Sequence, residues 1–270
     1  MKILVVIVNW RTPQLTVQCL RALAGEVTEE VRVVVADNDS RDDSLQVIAD
    51  AIAENHWHWC DLLPLPRNGG FAYGNNAAIR FGLQKGNPEY LYLLNPDTIV
   101  FPGVIARLVE FMDAHRQCGI AGSRAENPDG SVRRSAFRFP SIAGEFERQA
   151  EWGLASRLLR RAAVALPIPD TPTRVDWVSG CGMMIRRDVY DRIGPLDEGY
   201  FMYYEETDFC RRAARCGIEC WYVPASRLIH LVGQSSGVTG AARGSRRRPA
   251  YWFESRWRYF EKNHSWLYAM

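Results

Sequence analysis

Lys2-Ile-Leu-Val-Val-Ile-Val8 opens the chain, and Val31-Arg-Val-Val-Val-Ala36 follows after room for one helix. Both runs are short, apolar and β-branched, with no regular polar alternation, and so predict strands buried on both faces. Between them Leu15, Cys19, Leu20 and Leu23 recur at helical spacing over residues 14–24. A helix over 44–53, a weaker strand over Leu62–Leu65, a helix over 74–82 and the strand Tyr90-Leu-Tyr-Leu-Leu94 extend the pattern. This β-α-β-α-β-α-β order predicts an α/β fold with a mainly parallel central sheet flanked by helices.

The second half is less regular. The spacing predicts a helix over 104–115, a short strand at Gly119-Ile-Ala-Gly122, a helix over 141–165 and a loop over 167–172. A strand within Asp176–Ile185, a short helix over Arg187–Ile193 and a helix over 209–216 follow. Over 251–262 the placement of Phe253, Trp257 and Phe260 predicts an amphipathic helix with those rings as its core stripe. In open α/β sheets ligands bind beyond the carboxyl ends of the strands. The polar clusters at Asn9, Asp37–Ser40, Arg67–Gly70 and Asn95–Asp97 all fall there.

A formal net charge of +2 on 270 residues argues against a nucleic-acid partner. Seven cysteines without a CxxC pair exclude a disulfide framework and a structural zinc site, leaving free, mostly buried thiols in a reducing cytoplasm as the expectation. No apolar run reaches the length of a membrane span.

Four stretches carry chemistry. Asn95-Pro-Asp97 places a carboxylate at a strand end, where it can hold a divalent cation that holds a diphosphate; the same tripeptide is also an ordinary turn. Glu205-Glu206-Thr-Asp208 follows the aromatic run Tyr200-Phe-Met-Tyr-Tyr204. Adjacent carboxylates in apolar surroundings raise one another's pKa, which is a route to a general base, while the same acids suit a helix N-terminus. His230 is either a satisfied core histidine or a metal ligand. The Gly/Ser-rich stretch after it, with Arg243 and Arg246–Arg248, suits either a phosphate loop or a solvated basic loop. Asn68-Gly-Gly-Phe-Ala-Tyr-Gly-Asn-Asn76 lacks the lysine of a Walker motif; its asparagines can recognise a base or sugar, or cap the next helix.

Taken in order, these stretches resemble the family-2 glycosyltransferases of the GT-A fold, in particular their rhamnosyltransferase-like branch. The resemblance rests on Val8-Asn-Trp10, Asp37-Asn-Asp-Ser40, Asn68–Asn76, Leu94-Asn-Pro-Asp97, Ser179-Gly-Cys-Gly182, Gly194–Phe201, Glu205–Arg211 and His230–Ser235. It implies one GT-A domain over 1–240, with a nucleotide-sugar half (1–100) and an acceptor and catalytic half (101–240), then a basic-aromatic helical extension over 241–270. It implies a donor site of Val8, Asn9, Trp10, Asp37, Asn38, Asn68, Gly69, Asn76, Asn95 and Asp97. Asp37 and Asn38 fall at the nucleobase position. Asp97 would be the last carboxylate of the metal motif, whose first position is Asn95 here, and His230 a second ligand of Mg2+ or Mn2+.

Of the acidic set Glu205, Glu206 and Asp208, the resemblance puts Glu206 at the general base, one methylene longer than the family's usual aspartate, with Glu205 in reserve. The implied reaction is inverting transfer of a sugar, rhamnose included, from a dTDP-, UDP- or GDP-sugar to a hydroxyl of a glycan or lipid-linked glycan. The alternatives are a GT-A module that binds without chemistry, and a sugar-nucleotidyltransferase. The latter is disfavoured because Asn9-Trp-Arg-Thr-Pro13 replaces the Gly-rich basic loop it needs after strand one. A cytoplasmic protein is expected, peripheral at the inner face of the membrane if the C-terminal arginines (Arg243, Arg246, Arg247, Arg248, Arg256, Arg258) and the rings of Tyr251, Trp252, Trp257 and Trp266 meet lipid rather than pack on the sheet.

Overall fold

Strand β1 (Ile3–Asn9) is buried at all seven positions and divides its side chains between two cores. Ile3, Val5 and Ile7 enter one hydrophobic cluster, and Leu4 and Val6 the other, on opposite faces of one sheet. Each such side chain contributes about 1.5–3 kcal/mol when fully buried, which is why this strand carries no polar alternation. The computed structural model describes residues 1–141, 164, 166–231 and 248–264. The helix expected over 141–165, the Gly/Ser stretch after His230, Arg243, Arg246, Arg247 and Trp266 lie largely or wholly outside the described residues.

From β1 the chain runs through α1 (Pro13–Leu23), β2 (Val31–Asp37), α2 (Ser44–Glu54), β3 (Cys60–Pro64), α3 (Gly70–Lys85) and β4 (Tyr90–Leu94). Then come β5 (Thr98–Val100), α4 (Val104–Ala114), β6 (Cys118–Glu126), β7 (Ala136–Phe137), β8 (Thr173–Val175), β9 (Trp177–Val178) and β10 (Gly182–Arg186). Helices α5 (Arg187–Ile193) and α6 (Glu205–Arg215), strand β11 (Glu219–His230) and helix α7 (Ala250–Asn263) complete the described elements. The main sheet has the order β3-β2-β1-β4-β10-β6-β11-β5, with β8 added on β11. Its first four strands pair parallel, as the βα alternation predicts. Beyond β4 it is mixed: β10 runs antiparallel to both neighbours, and β11 is parallel to β6 but antiparallel to β5. The strand order reverses between β1 and β4, so a crevice opens beyond their carboxyl ends.

Helix α3 begins at Gly70, four residues earlier than its apolar spacing predicts, because Asn68 and Asn38 satisfy its entry. Asn68 Oδ1 accepts the Gly70 N–H (3.0 Å) and Asn38 Oδ1 the Gly69 N–H (3.3 Å). Helix α6 likewise starts at Glu205 rather than Phe209, with Glu205, Glu206 and Asp208 in its first turn, where the helix dipole favours negative charge.

The core stripe expected on the C-terminal helix is wrong in two of its three positions. Phe253 and Trp257 are 51% and 43% exposed, whereas Tyr259 and Phe260 are buried. Polar anchors set the rotation of α7. Lys262 Nζ lies 2.7 Å from Asp197 and 2.9 Å from Asp208, Asn263 Nδ2 donates to Asp208 (3.1 Å), and Arg258 Nη2 reaches Asp197 at 2.9 Å. Burial works against ionisation of Asp197, but hydrogen bonds from Lys262 and Arg258 outweigh it and hold its pKa at about 2.

Six of the seven cysteines are buried and all are free thiols; Cys216 is exposed. Burial pushes the thiols of Cys19 and Cys118 up to about 12, so they are inert as nucleophiles.

The two halves of the chain touch where α3 begins. Gly70 has φ +86°, and a Cβ there would stand 2.0 Å from the Phe201 carbonyl oxygen, while Phe71 N–H donates to that same oxygen at 2.8 Å. Gly130 has a similar φ of +80° but nothing within 4 Å of an added Cβ. Gly130→Ala should cost about 1–2 kcal/mol, the left-handed penalty alone. Gly70→Ala should cost clearly more. Urea midpoints at constant m-value check this, and equal losses would mean that the Phe201 contact is dispensable.

Candidate active site

A cavity of about 460 Å³ lies beyond the carboxyl ends of β1 and β4. Val8, Trp10, Asn38, Asn68, Asn95, Asp97 and His230 line it together with Ser179–Cys181, Glu205 and Glu206. Phe201, Met202, Tyr203, Pro249 and Tyr251 close the remaining wall.

Four residues expected at the donor do not line this cavity. Asn9 is fully buried, donating from Nδ2 to Asp37 Oδ1 (2.7 Å) while its Oδ1 accepts from Thr16 (2.9 Å). The Asp37 carboxylate also accepts from the Ser40 hydroxyl (2.6 Å) and backbone N–H (3.1 Å), so it shapes the loop after β2. Asn76 clamps the Leu196 backbone from both sides, accepting at 3.1 Å and donating at 2.8 Å. Gly69 sits against Tyr73. These residues brace the loops behind the cavity lining. Asn38 does line the cavity, but its amide is used on Asn68 Oδ1 and the Gly70 carbonyl, both at 3.0 Å.

Asp208 is also displaced from the expected chemistry. It is fully buried away from the cavity, and Arg212, Lys262 and Asn263 satisfy it. It joins α6 to α7.

Strand register brings Asp97 to His230. Strand β5 pairs with β11 so that Thr98 opposes His230, and the Leu231 N–H donates to the Asp97 carbonyl at 2.9 Å. His230 Nε2 consequently lies 3.2 Å from Asp97 Oδ1 and 3.2 Å from Asn95 Nδ2. Burial lowers the basicity of His230, but the Cys181 sulfur and Asp97 more than offset it, and its pKa is pushed up to about 10. Asn95 Oδ1 is buried and has no hydrogen-bond partner among the described residues, a cost that a bound cation would remove. Among the described residues no three His, Cys, Asp or Glu side chains gather as a metal cluster. One carboxylate, one imidazole and one amide oxygen still fit a divalent cation that takes further oxygens from a diphosphate.

Glu205 and Glu206 stand at the start of α6 after two consecutive left-handed residues, Tyr203 (φ 72°) and Tyr204 (φ 70°). That kink turns the helix N-terminus towards the cavity. Glu205 is buried and Glu206 half-buried. Burial raises both pKa values, and each carboxyl acts on the other. The pair is asymmetric. The Gly180 N–H and a hydrogen bond from Glu205 favour the Glu206 carboxylate, while the Glu206 charge drives Glu205 further upward. Ionising one carboxyl makes ionising the other harder, so the two titrate as a pair.

Sequence reasoning quoted Ser179-Gly-Cys-Gly182 without a role; here Gly180 donates to Glu206, and Cys181 backs His230. It missed Phe71 and Phe201–Tyr203 as cavity walls. Tyr251 is expected from the sequence either at a lipid surface or packed on the sheet, and nothing local shows that α7 returns to the crevice.

A family model described as glycosyl transferase family 2 matches residues 4–194. An N-acetylglucosaminyl-diphospho-decaprenol L-rhamnosyltransferase from Mycobacterium tuberculosis is 29% identical over 233 residues, spanning 81% of this chain and 72% of the relative. Rhamnosyltransferase WbbL of Escherichia coli is 28% identical over 169 residues, 60% of each chain. Among solved structures, GalNAc-T7 with UDP, GalNAc and Mn2+ superposes with a TM-score of 0.61 at 17% identity, over 85% of this chain and 44% of that one. A Pyrobaculum calidifontis mannosyltransferase with GDP-Man and Mn2+ gives 0.58 at 14%, over 87% and 58%. The chain thus spans about half the length of these two solved structures, and the likeness to them establishes the GT-A fold alone. With the family model covering most of the chain and the ordered strand-end motifs converging on one cavity, this protein belongs to glycosyl transferase family 2.

Proposed function

We propose that this protein transfers a hexosyl residue of the rhamnose class from a nucleoside-diphosphate sugar to a hydroxyl of a lipid-linked glycan, with inversion. One observation carries the reading: the adjacent carboxyls Glu205 and Glu206 line the same cavity as Asp97, Asn95 and His230. Similarity to an N-acetylglucosaminyl-diphospho-decaprenol L-rhamnosyltransferase and to a dTDP-rhamnosyl transferase supports the sugar and the lipid-linked acceptor. A module that only binds would gain nothing from two buried carboxyls that burial keeps hard to ionise, so the catalytic reading is preferred.

The nucleotide lies along Val8, Trp10, Asn38 and Asn68, where the Trp10 ring meets the base and Asn38 holds the Asn68 side chain in place. Its diphosphate reaches Asp97 and His230. Held by these two side chains and Asn95 Oδ1, a divalent cation would neutralise charge on the leaving diphosphate. Glu206 takes the proton of the acceptor hydroxyl as that oxygen attacks the anomeric carbon from the side opposite the diphosphate. A single displacement of this kind inverts the centre. Glu205 is hydrogen-bonded to Glu206, and burial and the neighbouring carboxyl work against its ionisation, which limits charge in the wall.

Helix α7 supports a peripheral membrane contact. Among the described residues no helix is long and apolar enough to cross a membrane. Phe253 and Trp257, four residues apart, expose their rings on one side of α7, and Arg248, stacked on Trp252 at 4.0 Å, lies at its start. A lipid surface is the natural partner of such rings and presents the acceptor.

Glu206→Gln should lower kcat by about 10²- to 10⁴-fold with donor affinity unchanged. Because the Glu206 pKa is raised above 4.5, kcat/KM of the wild type should rise with pH through a limb above that value. Glu205→Gln should retain this limb and Glu206→Gln lose it; the reverse pattern would hand the base role to Glu205. Asp97→Ala should abolish turnover and cancel the thermal shift that nucleotide sugars plus Mn2+ give the wild type. Full activity in EDTA would remove the metal from the mechanism. The Phe253→Ser/Trp257→Ser double variant should lose co-sedimentation with vesicles containing anionic lipid while keeping its melting temperature, and wild-type binding by this variant would place the contact elsewhere.

A further inference from the structure

We propose that helix α7 completes the acceptor end of the cavity, and that Tyr251, with Tyr203 and Phe201, forms a platform on which the pyranose ring of the acceptor stacks beside Glu206. This rests on the transferase reading and deepens it. The three residues lie beyond position 194, where the family model stops.

The rings are mutually arranged. Tyr251 stands 5.4 Å from Phe201, tilted at 49°, and 6.2 Å from Tyr203 at an interplanar angle of 23°. All three line the same cavity as Glu205 and Glu206. Rings serving only as core would be sealed, as Tyr259 and Phe260 are at 0% and 1% exposure more than two turns along the same helix. Phe201 instead keeps 37% of its surface, and Tyr203 and Tyr251 are half-buried.

The platform is held in place. The Ser255 hydroxyl donates to the Met202 carbonyl at 2.9 Å, pinning α7 directly to the segment that carries Phe201 and Tyr203. Further along, Lys262 and Asn263 fasten α7 to Asp208, one turn after Glu205 on α6. Tyr251 therefore has a fixed relation to the carboxylate pair.

Position decides the ligand. A general base must stand within hydrogen-bond reach of the proton it removes. Phe201 and Tyr203 lie on the stretch that runs directly into Glu205 and Glu206 at the head of α6, so the rings adjoin the base and with it the acceptor. A pyranose has an apolar C–H face and a hydroxyl edge; an aromatic platform takes the face while Glu206 takes the edge. A ring contact of about 1 kcal/mol corresponds to a five- to tenfold change in affinity.

The experiment compares wild type, Tyr251→Ala and Tyr251→Phe, using octyl β-N-acetylglucosaminide as the acceptor probe and UDP- and dTDP-sugars as donors. Its dissociation constant is read by calorimetry, which needs no turnover, and kinetics are followed where turnover occurs. Tyr251→Ala should weaken the pyranoside about five- to tenfold and raise its KM alike, with kcat and the donor KM within about twofold. Tyr251→Phe, which keeps the ring, should behave as wild type. A folded Tyr251→Ala that binds the pyranoside as tightly as wild type overturns the proposal, as does a loss falling on the donor KM. Failure of the transferase reading looks different: the wild type would bind no sugar nucleotide at all.

Discussion

A carboxylate with no exposure to water, Asp208, governs how the C-terminal third is assembled. An ion moved into a protein interior forfeits hydration worth several kcal/mol and is tolerated only when partners replace it. Arg212 supplies one from within α6, one turn on; Lys262 and Asn263 must come from another element. That demand fixes both the rotation and the axial position of α7. It explains why large rings at 253 and 257 are left in solvent while Tyr259 goes inside: the helix is oriented by its polar anchors, and its aromatics take what remains. The same residue sits one turn after Glu205, so the joint that docks α7 also steadies the helix end that carries the carboxylate pair.

Much of the fold was legible in the sequence. Tyr90–Leu94 and Arg187–Ile193 came out with their observed limits, because a fully buried strand and a short helix between an extended residue and a glycine have local signatures. Strand β11 did not. Its twelve residues include Pro224, a break in register and irregular burial, so no alternation could be counted. Strand β5 is three residues long and disappears behind the turn that precedes it.

The site was legible in position and less so in orientation. The sequence placed Asn9 and Asp37 correctly at strand ends, yet whether such side chains face a ligand or their own loop depends on Ser40, whose hydroxyl and N–H both claim Asp37. The proximity of Asp97 and His230 is set by the pairing of β5 with β11, which no local pattern encodes. For the glutamates, adjacency in the sequence announced the coupling, but its asymmetry needed the Gly180 N–H, which only the fold brings near.

Tyr203 and Tyr204 both hold a positive φ, a conformation that costs a residue with a Cβ about 1–2 kcal/mol and that glycine adopts freely. Glycine at either place would relax the backbone and delete a ring: Tyr203 stacks on Tyr251, and Tyr204 packs against Trp252 and Tyr259. Selection for a sturdier fold and selection for a furnished cavity therefore pull in opposite directions at these two adjacent codons. A consensus or thermostabilising redesign that scored backbone geometry alone would choose glycine here and return a more robust scaffold with a stripped site.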